Sequence, residues 1–135
     1  MELQSFGFGY SGELDMSFEQ ALEHTKEVLA RHGFGVQAEI QISDALKTKL
    51  GVDIPKEVIL GVCNPTLAYK AIRIEPRITV LLPCNVTLKE GADGKTHIAA
   101  ANSQKLVEMA NHPGLEEIAS QAEKQLIEAL ERIDS

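Results

Sequence analysis

After Pro113-Gly114, apolar residues recur at intervals of three and four: Leu115, Ile118, Ala119, Ala122, Leu126, Ala129, Leu130 and Ile133. That spacing places all eight on one stripe of an α-helix. A helix with a single apolar stripe must bury it against a second layer, so this segment requires a sheet or a helical partner elsewhere in the chain. Glu116, Glu117, Glu123, Glu128 and Glu131 fall between the apolar positions and read as the solvated face of the same helix.

Alternating stretches supply that second layer. Phe6, Phe8 and Tyr10 alternate with Gly7 and Gly9 in a strand expected within Leu3 to Tyr10. Val36, Ala38, Ile40 and Ile42 alternate with polar residues, as in a strand with one face in the core. Val58 to Cys63 is uniformly apolar, which suits a central strand. Ile78, Val80, Leu82, Cys84, Val86 and Leu88 keep strict period two and predict the longest strand, from Arg77 onward. Pro83 lies inside it and cannot donate to a ladder, so a bulge or a sheet edge is expected there. Asp93-Gly94 turns the chain back into a return strand, Thr96 to Ala101.

Helix signals fill the gaps. Ser17 with Gln20 makes a capping box before the stripe Phe18, Ala21, Leu22, Val28 and Leu29, and Gly33 ends that helix. Ser43 reads as the cap of a short helix closed by Gly51. Asn64-Pro65 is a helix start, with Asn as the cap and Pro at the first helical position, and Pro76 stops that helix. A further short helix is expected from about Ser103 to Ala110. The sum is an α+β fold: a five-stranded mixed or antiparallel sheet, two long helices packed on one face, and three short helices. With 135 residues and no Pro/Gly/Ser-rich linker, residues 1–135 read as one domain.

Three stretches carry a family resemblance. They are Leu50-Gly51-Val52 with Pro55, the segment Ile59-Leu60-Gly61-Val62-Cys63-Asn64-Pro65, and Leu81-Leu82-Pro83-Cys84-Asn85-Val86. In this order and spacing the chain resembles the domain-of-unknown-function 302 family. The resemblance implies a compact α+β fold and homodimers, and it brings no established activity.

Charge and composition narrow the function classes. The formal net charge is −7 and no Lys/Arg stripe offsets it, so nucleic-acid binding is not expected. The longest apolar stretch near the middle is far too short to span a bilayer, and Met1-Glu2-Leu3-Gln4-Ser5 has no signal-peptide character, so no membrane partner and a cytoplasmic location are expected. Two cysteines make no disulfide framework and default to thiols in a reducing compartment.

Cys63 and Cys84 are the candidate reactive groups. If their strands were parallel neighbours, both thiols would lie at the carboxyl ends, where open sheets hold ligand crevices. Cys63 also precedes a helix N-terminus, which favours a thiolate. Burial as a small apolar side chain is the competing explanation. Asn64 is accounted for as a cap, whereas Asn85, beside Pro83, has no such role. His97 opens the return strand and could approach Cys84 as an activating base. The four histidines have no metal-motif spacing, so no metal site is assigned, and no cofactor is specified. The reading is a homodimeric module binding a small ligand or a partner near the two Cys-Asn segments, with Cys63, Asn64, Pro83, Cys84, Asn85 and His97 as candidates. The alternative is a thiol-dependent enzyme or redox sensor using Cys63 or Cys84.

Overall fold

The computed structural model describes residues 1–134. Strands β1 (Gln4–Phe6) and β2 (Gly9–Leu14) come first, then helix α1 (Phe18–Arg31), β3 (Gly35–Ile40), α2 (Ile42–Leu50), β4 (Glu57–Cys63) and α3 (Pro65–Ile74). A 3-10 helix (Pro76–Leu81), the hairpin β5 (Cys84–Glu90) and β6 (Thr96–Ala101), the short α4 (Ser103–Glu108) and the long α5 (Pro113–Glu131) complete the chain. Six strands form one open sheet in the spatial order β1-β2-β6-β5-β4-β3, with every neighbouring pair antiparallel. The α+β class holds. Of the mixed and antiparallel options the sheet takes the antiparallel one, and it has six strands rather than five.

The sixth strand comes from the N-terminus. The single aromatic strand expected there is a hairpin that turns at Gly7-Phe8. A Cβ on Gly7 would meet nothing within 4 Å, so the turn is open. Phe6 and Phe8 stack edge to face at 4.9 Å.

The longest strand was misread. Pro76 to Leu81 forms a 3-10 helix, and β5 starts only at Cys84. Glu75 caps the helix, accepting from Arg77 N at 2.9 Å. In a 3-10 turn residues three apart share a face. Ile78 is accordingly buried and Leu81 partly so, while Val80 is 84% exposed. Alternation in Ile78, Val80 and Leu82 thus carried no strand. The locked φ of Pro76 and the Glu75 cap outweighed it.

A bulge changes β3 as well. The register shifts between Val36 and Ala38, after which Ala38 pairs with Gly61 and Ile40 with Ile59. An inserted residue turns every later side chain to the opposite face. Ile40 is therefore 49% exposed rather than core. Ser43 is also not the cap of α2. It sits in the first turn, buried, and its Oγ accepts from Glu57 N at 3.0 Å, which ties α2 to β4.

The main core lies between the sheet and the two long helices. Val58, Leu60 and Val62 of β4, Val86 and Leu88 of β5, and Ile98 of β6 pack with Phe18, Ala21, Val28 and Leu29 of α1 and with Leu126, Ala129 and Leu130 of α5. Alternate strand residues point to the other face of the sheet. Among the described residues no helix is long and apolar enough to cross a membrane.

One core position is polar without a partner. Thr25 of α1 is fully buried, and its Oγ1 has no hydrogen-bond partner among the described residues. An orphaned buried hydroxyl costs roughly 1–3 kcal/mol, and a same-shaped apolar side chain removes that cost. Thr25→Val is expected to stabilise the protein by about 1 kcal/mol, read as a rise of about 4 °C in the thermal midpoint. An unchanged or lower midpoint would refute the assignment of Thr25 as unsatisfied.

Candidate functional site

The two cysteines meet because β4 and β5 are antiparallel, not parallel as the crevice argument supposed. The carboxyl end of one antiparallel strand lies beside the amino end of the next, so Cys63, last in β4, and Cys84, first in β5, share one end of the sheet. Cys84 is the register partner of Val62, the residue before Cys63. Both cysteines are free thiols and partly buried.

Both thiols line a cavity of about 70 Å³ under α3, the 3-10 helix, α4 and α5. Leu67, Ile78, Leu115 and Ala119 form part of its wall, and among the described residues no charged side chain lines it. Ser103, the first residue of α4, adds a hydroxyl whose Oγ lies 3.3 Å from Cys84 Sγ. Burial pushes the Cys63 thiol above its ordinary range, and the neighbouring Cys84 adds to that. Desolvation thus works against the Cys63 thiolate that a helix N-terminus would favour.

Asn64 is fully committed. Its Oδ1 accepts from Leu67 N at 3.2 Å as the cap of α3, and its Nδ2 donates to Gln125 Oε1 of α5 at 3.1 Å. Pro83 packs over Gly61, where a Cβ would sit 2.7 Å from the proline Cγ. The ring thus occupies the space that a side chain on the central strand would need. Asn85 is exposed and pairs with Gly61, on the face away from Cys84. His97 does not approach Cys84. It pairs with Lys89 of β5 and Glu13 of β2, several residues along the sheet from the cysteines and on the opposite face. Cys63, Asn64 and Cys84 are thus brought together, while Pro83 and Asn85 flank the site and His97 stands apart.

The sequence had placed Ser103 only as a helix start. Nothing in its spacing pointed to Cys84, since the contact follows from how β6 delivers α4 over the end of β5. Glu123 was likewise read as solvated, but it is 9% exposed and takes the Tyr10 hydroxyl as a donor. Asn102 Nδ2 donates to the same Tyr10 oxygen at 3.2 Å. This network joins β2, the start of α4 and α5 beside the candidate site.

The model of the domain of unknown function DUF302 matches residues 10–133. The chain belongs to the DUF302 family. A crystal structure of an uncharacterized conserved DUF302 protein from Bacillus stearothermophilus is similar over its whole fold: 32% identity, a TM-score of 0.87, and coverage of 95% of this chain and 99% of that one. None of the curated proteins matches the chain. DUF302 membership assigns no chemistry to the Cys-Asn segments.

Proposed function

We propose that this DUF302 chain is a homodimeric binding module whose cavity beside Cys63 and Cys84 takes a small neutral, mostly apolar molecule. The observation that carries this is the lining: apolar walls, no charged side chain, and polar groups limited to the two thiols, the Ser103 hydroxyl and the committed Asn64. A charged ligand would lose its hydration there without compensation. An apolar cavity stays dry and gains contacts when a ligand of matching shape fills it.

The dimer rests on a different observation. The sheet face away from the main core presents small, partly exposed residues such as Ser11, Thr87, Ala99 and Ala101 beside Ile40 and Ile59. Such a face suits close approach of a second sheet. A partner protein in place of the second copy is the other form of the same reading.

The thiol-dependent alternative is weaker. The Cys63 thiol, partly buried and with a raised pKa, is a poor nucleophile at neutral pH. What favours it is the Cys84–Ser103 contact, which gives one sulfur a polar neighbour.

Native mass spectrometry of protein purified gently from its own host tests both halves. The expected result is a dimer carrying extra small-molecule mass, lost in Ala119→Leu, which fills the cavity from α5. Ala122→Val serves if the larger side chain prevents folding. Wild type and variants each at the mass of their own sequence, with nothing added, would remove the ligand reading, and a bare monomer would remove both.

A further inference from the structure

We propose that Glu13, Asp93 and His97 form a site for a divalent transition-metal cation of the zinc or cobalt class. This site is separate from the cavity, on the opposite face of the sheet. The three ligand atoms lie within 4.8 Å of one another. They come from three segments: Glu13 from β2, His97 from its direct cross-strand position on β6, and Asp93 from the tip of the β5–β6 hairpin.

The local structure is arranged around these side chains. A Cβ on Gly91 would sit 2.5 Å from His97 Nε2 and 2.7 Å from Asp93 Oδ1, so the glycine lets the imidazole and that carboxylate converge over the turn without having to shift. Asp93 Oδ1 accepts from Lys95 N at 3.0 Å, which holds the carboxylate over the turn. The imidazole Nδ1 lies 3.5 Å from Glu13 Oε1, a loose contact that is an ion pair only with the ring protonated. Lys95 Nζ reaches Glu13 Oε2 only at 3.9 Å, a contact that an incoming cation displaces at little cost.

The ligand chemistry selects the metal. One imidazole with two carboxylates suits zinc, cobalt or nickel, with water completing the sphere. Bonds of about 2.1 Å in a tetrahedral sphere put ligand atoms roughly 3.4 Å apart, so the side chains must close by roughly an ångström. Glu13 and Asp93 are exposed and can do so by rotamer adjustment. A polar groove lined by Glu2, Gln4, Ser11 and Lys89 borders Glu13 and His97, leaving the outer coordination positions to water. The bound ion would clasp the hairpin tip to the neighbouring end of β2.

The test uses the full chain after EDTA treatment and dialysis. Added Zn²⁺ is expected to raise the thermal midpoint by about 3 °C or more at saturating excess. Added Co²⁺ is expected to give a visible d–d band. His97→Gln and Asp93→Asn should each abolish both signals while leaving the metal-free midpoint near that of wild type, because these side chains lie at the surface. No band and no midpoint shift would overturn the proposal. So would a response that survives His97→Gln but vanishes in Cys63→Ser, since it would put the metal on the thiols.

Discussion

Replacing Gly9 with valine is expected to destabilise the protein by about 3 kcal/mol, the upper range for forcing atoms into a packed site. Gly9 pairs with Phe6 on one side and Ala101 on the other. A Cβ there would run into the Ala100 carbonyl oxygen and sit 2.8 Å from the Phe6 ring. The ring of Phe6 can swing away, but the Ala100 carbonyl is backbone of β6, the neighbour of β2. Relieving the collision means prising β2 from β6, with loss of ladder hydrogen bonds. A domain of this size has a total stability of roughly 7–20 kcal/mol, so the loss is a large share. Urea unfolding measures it as a lower midpoint at unchanged slope. Gly7→Val is the control, because no atom lies within 4 Å of a Cβ at Gly7. Equal midpoints for the two variants would show that β2 and β6 do not approach as closely as described.

The second large effect belongs to Tyr10 and Glu123. The Tyr10 hydroxyl donates to Glu123, a carboxylate almost enclosed on α5. Removing the donor by Tyr10→Phe leaves the carboxylate in place with its solvation lost and its partner gone. That is expected to cost about 2 kcal/mol, the usual range for a hydrogen bond to a charged group. Glu123→Gln keeps an acceptor for Tyr10 and should cost less. The pair also sets a pH dependence. The Tyr10 phenol is pushed up from 10 to about 12, first by the hydrogen bond to Glu123, then by burial and by the carboxylate charge. The folded state therefore favours the protonated phenol. This contribution is fully present below pH 10 and is lost as pH rises from 10 to 12. Phenolate absorbance in a Tyr69→Phe background isolates Tyr10, since the chain has two tyrosines. Titration should move down toward 10 in Glu123→Gln. A Tyr10 titration insensitive to that substitution would refute the contact.

Much of the secondary structure is legible in the sequence, wherever a local signal and a periodic one agree. Ser17 accepts from Gln20 N at the start of α1, Asn64 caps α3, and Pro113-Gly114 opens α5 with His112 as its cap. Local signals failed where two of them competed. In Pro76–Leu81, period-two alternation competed with a proline start and a Glu75 cap, and the cap won because its hydrogen bonds are formed within the segment itself. In β3 the alternation was real, but one extra residue inserted at Gln37 reversed the faces. A bulge leaves no mark in composition.

The candidate site was half legible. Cys63, Asn64 and Cys84 were singled out, and all three line one cavity. Ser103, Leu115 and Ala119 were not, because their contribution depends on how α4 and α5 cross the end of the sheet. His97 was misplaced, since a hairpin register decides which face and which end a strand residue occupies.

The sequence alone determined the α+β class, the caps of α1 and α3 and the long stripe of α5, because those depend largely on contacts within a few residues. Only the tertiary structure decided the strand order, the antiparallel β4–β5 pairing that joins the cysteines, and the burial of Glu123. Each depends on which distant segments share a face, and the free energy that selects the arrangement comes from burying apolar surface across the whole sheet, which no local window contains.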